Sequence, residues 1–279
     1  MRVLKIFIIL NVVTTSFFGC ISYPIYDYNY HNYGKIVFLI TDWSERGDNI
    51  DIPESYTVKI GEYIIILSGT TNPIDYLFPE GKYTINIWNT TKPITVSDKI
   101  ATTGYTASDP GWFFTGRKEV KIEIDGEHSV VVNMQQQVRQ LTFELEIADN
   151  IQYRFTSVSA TLSGVAGTLN MDNGMHGDPT TIALTFTEDM NDNRWKTTVR
   201  LLGVTGNKQT LTLTMNPDDS NISLNTVISD LSYQLASFNE DKKTPLTLIA
   251  RVEGTQNGEK MITTISDWKP GETSTGEAD

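Results

Sequence analysis

Nucleophilic catalysis needs a nucleophile, a base and an orienting group brought together, and this 279-residue sequence offers three histidines as bases: His31, His128 and His176. His31 lies among tyrosines and His128 beside the turn pair Asp125-Gly126, so both read as solvated loop residues. His176 sits in Met171–Asp178, where Asp172, Asn173, His176 and Asp178 offer oxygen and imidazole donors. That mixture matches no standard metal loop, and the segment reads as a polar connection. Glu188–Asn193 carries the hard oxygen donors calcium prefers, in a composition equally suited to a long hairpin turn. Ser266-Asp267-Trp268-Lys269 spells S-x-x-K, but its serine falls in a terminal strand and no K-T-G segment follows. The sequence therefore predicts no catalytic set, no metal site and no cofactor. Of the five tryptophans, Trp43, Trp88, Trp195 and Trp268 fall in or at the ends of predicted strands, where packing explains them. Trp112, in Gly111-Trp112-Phe113-Phe114 after Ser108-Asp109-Pro110, stands on a loop and is the candidate ligand contact, a ring able to stack on a sugar face.

One residue invites chemistry from outside. Cys20, the only cysteine, follows a basic start (Arg2, Lys5), an apolar run Ile6–Val13 and the segment Ser16-Phe17-Phe18-Gly19. This is the order of a secretory signal peptide, residues 1–19, ending where a bacterial lipoprotein is cut and acylated, although Phe17 replaces the usual aliphatic residue. Acyl chains such as palmitate on Cys20 would tether the protein to a membrane, several chains holding stably where one would not. The apolar run is too short to span a bilayer, so attachment through lipid is the expectation. With Cys20 acylated no thiol is left for a disulfide, and packed sheets must supply the stability. A net charge of −12 excludes nucleic acid as a partner, because phosphate binding needs a basic patch.

The elements that would position these residues are strands. Residues 20–34, with Tyr23, Tyr26, Tyr28, Tyr30 and Tyr33, lack alternation and read as a tether. From Lys35 short runs of β formers alternate with turn residues. Lys35–Trp43 is nearly continuous apolar, as expected of a strand covered on both faces. Tyr56–Leu67 contains a turn at Gly61-Glu62, Tyr83–Trp88 follows Pro79-Glu80-Gly81, and Val120–Ile124 and Ser129–Met134 flank Asp125-Gly126. After Gln135-Gln136-Gln137 a second block begins, in which Leu141–Ile147 alternates strictly, followed by Phe155–Leu162, Thr181–Thr187, Trp195–Leu202, Gln209–Met215, Leu246–Val252 and Met261–Trp268. Leu224, Val227, Ile228, Leu231, Leu235 and Phe238 fall three, four or seven apart and predict one amphipathic helix. Pro270–Asp279 has nothing to bury and reads as a disordered tail. The expectation is an all-β chain of two tandem sandwiches, 35–134 and 138–269, with one short helix in the second; strand spacing leaves immunoglobulin-like and transthyretin-like wiring open.

Asp42-Trp43-Ser44, Leu77-Phe78-Pro79-Glu80-Gly81-Lys82-Tyr83, Val138-Arg139-Gln140-Leu141-Thr142-Phe143, Ala160-Thr161-Leu162-Ser163-Gly164-Val165-Ala166, Leu201-Leu202-Gly203 and Asp267-Trp268-Lys269, in this order behind Cys20, carry a resemblance. Together they resemble the fimbrillin-related lipoproteins of Gram-negative gut and oral anaerobes, a group of fimbrial anchor and accessory subunits. The resemblance implies two Greek-key, transthyretin-like sandwiches, an outer-membrane lipoprotein, fimbrial subunits as partners and a part in fimbria assembly or cell adhesion, with no catalysis. In that group an arginine-specific protease removes the N-terminal strand of stalk subunits. By position Lys35–Trp43 corresponds to that strand and Arg46-Gly47 to the cut. The tail after Lys269 lacks the alternating apolar residues of a donated strand, which favours an anchor or accessory role over a stalk role. The alternative reading is a surface glycan-binding lipoprotein using Trp112.

Overall fold

A computed structural model describes residues 32–105, 109–149, 151, 154–189, 193–218, 225–257 and 260–271. Cys20, His31, the tyrosines before Tyr33, Ser108, Met190–Asp192, Leu224 and residues 272–279 lie outside them. Ten strands precede the linker: β1 (Tyr33–Glu45), β2 (Tyr56–Ile60), β3 (Tyr63–Leu67), β4 (Thr71–Pro73), β5 (Leu77–Pro79), β6 (Gly81–Trp88), β7 (Thr95–Ser97), β8 (Ile100–Thr102), β9 (Phe114–Ile122) and β10 (Glu127–Gln136). After it come β11 (Arg139–Ile147), β12 (Phe155–Asn170), β13 (His176–Thr185), β14 (Thr187–Asp189), β15 (Arg194–Leu201), β16 (Thr210–Pro217), β17 (Asn225–Asp230), β18 (Leu246–Asn257), β19 (Lys260–Ile265) and β20 (Lys269–Pro270).

The first sheet runs β3-β2-β6-β9-β10-β1-β4, with β5 also on β1 and the β1–β10 pair parallel. β9 and β10 share only the pairs Phe114–Gln136, Thr115–Gln135 and Gly116–Met134 and diverge toward the Asp125-Gly126 turn, so this pair is not a simple hairpin. Divergence lets the sheet fold over, and the inward alternation of both layers (Val58, Ile60, Ile85 and Ile87 against Ile36, Leu39, Val130 and Val132) fills one core. β1 is not covered on both faces: Leu39 is fully buried but its neighbour Phe38 is 43% exposed.

In the second half, a sheet β14-β15-β11-β18-β19 packs on a sheet β17-β16-β12-β8-β7, the latter with β13 on β12. Leu141, Phe143 and Leu145 of β11 meet Val158, Ala160 and Leu162 of β12 in the largest core. Trp268 stands edge-on to Phe143, 5.3 Å between centroids, and Ser266 Oγ accepts the Arg251 N–H, so the S-x-x-K residues are structural.

The predicted helix is absent among the described residues. Thr226, Val227 and Ile228, β-branched and at home in a pleated sheet, pair instead with β16. Asp230 then accepts the Ser232 N–H and ends the strand, and Leu231–Glu240 follows as successive turns that bury Leu231, Leu235 and Phe238. Strand and turns together reproduce helical spacing.

The ends and the midpoint also depart from expectation. Tyr33 and Gly34 belong to β1, and Pro270 pairs with Leu248. The hairpin β7–β8, in the first block by number, pairs through Ile100–Thr102 with Thr168–Asn170 of β12. β12 reaches that far because it is 16 residues long and bulged at Gly164. Its end carries Leu169 into a third small core with Ile94, Ala101, Phe113, Val138 and Leu202, which joins the halves.

Candidate functional site

Among the described residues, Arg46 and Trp112 meet at this junction, whose centre is the glutamine segment. β10 turns Val130, Val132 and Met134 inward, and the same period of two carries Gln136 inward as well. Gln136 is 3% exposed and Gln137 6%, so each must satisfy both ends of its amide. Gln136 Oε1 accepts the Gly47 N–H at 2.8 Å, and its Nε2 donates to the Val138 and Lys242 carbonyls at 2.8 and 2.6 Å. Gln137 Nε2 donates to Thr115 Oγ1 at 2.8 Å, and its Oε1 accepts from Lys242 Nζ at 2.5 Å. Arg139 donates to the Thr244 and Phe238 carbonyls and lies 5.1 Å over the Phe238 ring, its basicity lowered by burial against the pull of Asp241. Tyr105 adds a further tie, its hydroxyl donating to the Ala166 carbonyl and accepting the Leu202 N–H. Gln136 and Gln137, between the two blocks, thus form a bonded node.

Two clefts flank the node. One, about 670 Å³, is lined by Arg46, Asp48, Trp112, Gln140 and Lys243, so two site candidates of the sequence, Arg46 and Trp112, share it. Neither is free within it. Arg46 curls onto its own loop, Nε on the Ile50 carbonyl at 2.8 Å and a terminal nitrogen on the Trp43 carbonyl at 3.1 Å. Gly47 is buried against the Lys243 carbonyl, and Lys243 pairs with Glu45 at 2.9 Å. Trp112 is half-buried, with the Arg200 guanidinium 5.4 Å from its ring. The other cleft, about 470 Å³, is lined by Arg117, Asn133, Gln137, Asp172 and Lys242, whose ammonium burial brings down to about 8.

His128 and His176 are not loop residues. His128 lies in β10 and His176 opens β13, its Nε2 3.1 Å from the Leu202 carbonyl. Burial first, then the nearby Lys242 charge, lowers His176 to about 4 against the opposing pull of that carbonyl. Asp172 pairs with Lys99 and, at 3.5 Å, with Arg117, so its carboxylate is occupied by cations. A histidine held neutral in the fold gives the unfolded chain the extra proton between pH 6.5 and 4. Stability is therefore complete above about pH 6.5 and falls as the pH drops toward 4. Urea midpoints at pH 7 and 4.5 should show His176→Gln sparing about 1–2 kcal/mol of the acid loss, allowing for screening of the part-exposed ring.

Sequence reasoning missed Gln136, Gln137, Arg139 and Lys242. Only the inward phase of Gln136 could have been read beforehand; the loop 241–245 that meets it lies a hundred residues away.

A family model described as fimbrillin-A associated anchor proteins Mfa1 and Mfa2 matches residues 22–271. No curated protein matches. Among solved structures, a candidate adhesin of Bacteroides ovatus superposes with a TM-score of 0.61 at 9% identity, covering 87% of this chain and 96% of its own. A second from B. ovatus ATCC 8483 gives 0.59 at 16% identity, covering 81% and 90%. The fimbrial anchor protein Mfa2 of Porphyromonas gingivalis gives 0.53 at 10%, covering 85% and 98%. At these identities the structures attest the fold.

Proposed function

Because the chain belongs to the family of fimbrillin-A associated anchor proteins, we propose that it is a lipid-tethered anchor or accessory subunit that holds or modulates a fimbria at the outer membrane. The family match across 250 residues, 22–271, carries this reading. It begins just behind Cys20, where the apolar leader ends, which supports acylation at that thiol and a tether rather than a span. Work is done by surfaces in this reading, not by reactive groups: at the junction the polar side chains are engaged with one another and with main chain. Mixing the purified protein with fimbrial subunits encoded beside it tests the role, and a complete lack of co-elution with every such subunit would overturn it. Growth with an alkyne-tagged palmitate should label the wild type and leave Cys20→Ala unlabelled.

Proteolytic maturation at Arg46 fits this chain poorly, because an arginine-specific protease must draw the guanidinium out of two carbonyl bonds and the adjoining glycine out of a packed seat. We expect cleavage of the folded protein after Arg46 to be at least about tenfold slower than after an arginine in an unfolded peptide of the same sequence. Timed digestion read by mass spectrometry measures this. Glycan contact at Trp112 is the second reading, supported by its place in the larger cleft and opposed by the arginine over its ring. A glycan array with Trp112→Ala decides: the anchor reading predicts no binding that depends on this ring.

A further inference from the structure

Strand β3 ends the first sheet, and no strand among the described residues pairs with its far side. It reads Tyr63-Ile64-Ile65-Ile66-Leu67, without the lysine, proline or bulge that usually blunts an edge. Ile64 is 59% exposed and Ile66 71%. The hairpin register says which backbone groups are free. β2 and β3 are joined by the two residues Gly61-Glu62, with Gly61 at φ 58°, so the flanking pair Ile60–Tyr63 exchanges both hydrogen bonds. Val58–Ile65 and Tyr56–Leu67 then do the same, while the N–H and C=O groups of Ile64 and Ile66 point away from β2. Four backbone groups and two isoleucine side chains are thus presented together at one open edge.

The segment is self-complementary about Ile65. We propose that β3 pairs antiparallel with β3 of a second copy of this chain around a two-fold axis through Ile65. Ile64 then exchanges two hydrogen bonds with Ile66 of the other copy, and the symmetric pair does likewise, so all four free groups are satisfied. On the outer face the row across the interface reads Lys59, Ile64, then Ile66 and Thr57 of the second copy, with no like charges opposed. On the inner face Ile65 meets its own mate and Tyr63 meets Leu67, extending the apolar underside that packs on the core. Isologous pairing uses the β3 edge of both copies, so this seam closes at two. A five-residue seam is small, so the dissociation constant is on the order of 10 µM, within reach when tethering concentrates the protein in a membrane.

Sedimentation velocity of the chain carrying Cys20→Ser, from about 1 to 100 µM, tests this. The wild-type edge gives a monomer–dimer equilibrium. Ile64→Lys, and Ile66→Pro, which removes only an outward N–H, weaken it at least tenfold while thermal midpoints confirm both variants are folded. A wild-type edge that stays monomeric at 100 µM overturns the proposal. So does a dimer that persists in both folded variants, or association that continues past two copies. Binding of fimbrial subunits is scored separately and bears only on the anchor role.

Discussion

Phe113→Ala is expected to lower the unfolding free energy by about 3–5 kcal/mol and to split one thermal transition into two. Phe113 is fully buried between Ile94 and Ala101 of the first half and Leu169, Val138 and Leu202 of the second. Its neighbours cannot close on the void. Leu169 is fixed by β12 pairing on both sides, Val138 follows the bonded glutamines, and the Phe113 carbonyl itself accepts the Gln137 N–H at 2.7 Å. The cost is therefore the lost transfer term plus an uncollapsed cavity. The ring also couples two larger cores that otherwise meet mainly through polar ties, so losing it lets each melt by itself. Differential scanning calorimetry reads both effects; a single transition within about 1 kcal/mol of the parent would contradict this account of the junction.

Gly164→Val should cost about 3 kcal/mol or more, for two separable reasons. Its φ of 75° is in the left-handed region, and a Cβ there would lie 2.5 Å from the Lys208 carbonyl and 3.1 Å from the Gln209 side chain. Gly174 offers the comparison. Its φ is 72° but a Cβ would meet open space, so Gly174→Ala should lose only about 1 kcal/mol. Gly164→Ala measured beside Gly174→Ala isolates the clash in the difference of their urea midpoints. Gly164 matters because the bulge it permits redirects β12, which pairs with β16 before it and with β8 beyond it.

Gly164 also shows where the sequence was readable and where it was not. Leu-Ser-Gly-Val-Ala reads as the end of a strand, since glycine usually interrupts one; the strand in fact continues to Asn170. Where apolar and polar residues alternate strictly, the pattern sufficed: Leu141–Ile147 lies wholly within β11, with Phe143 and Leu145 in the core and Glu144 paired to Lys196. The sandwich architecture followed from such runs. The spacing of Val227, Leu231, Leu235 and Phe238 misled because periodicity reports burial, and a strand followed by turns can bury residues at helical intervals, while Ile228, which fitted the same pattern, is 70% exposed. The junction was hidden for another reason. Its contacts, from Gln136 to Lys242 and from Ile100 to Asn170, join segments far apart in the chain, and local composition says nothing about such pairings. Arg46 and Trp112 were visible as candidates; that they share a cleft, each already engaged, was not.

The anchoring role itself is tested most directly on cells. In a strain lacking this gene, fimbriae should still assemble but be recovered mainly from the medium or with altered length, and expression of the wild-type chain, not of Cys20→Ala, should restore them to the envelope. Fimbriae retained on the deletion strain in unchanged number and length would contradict the account.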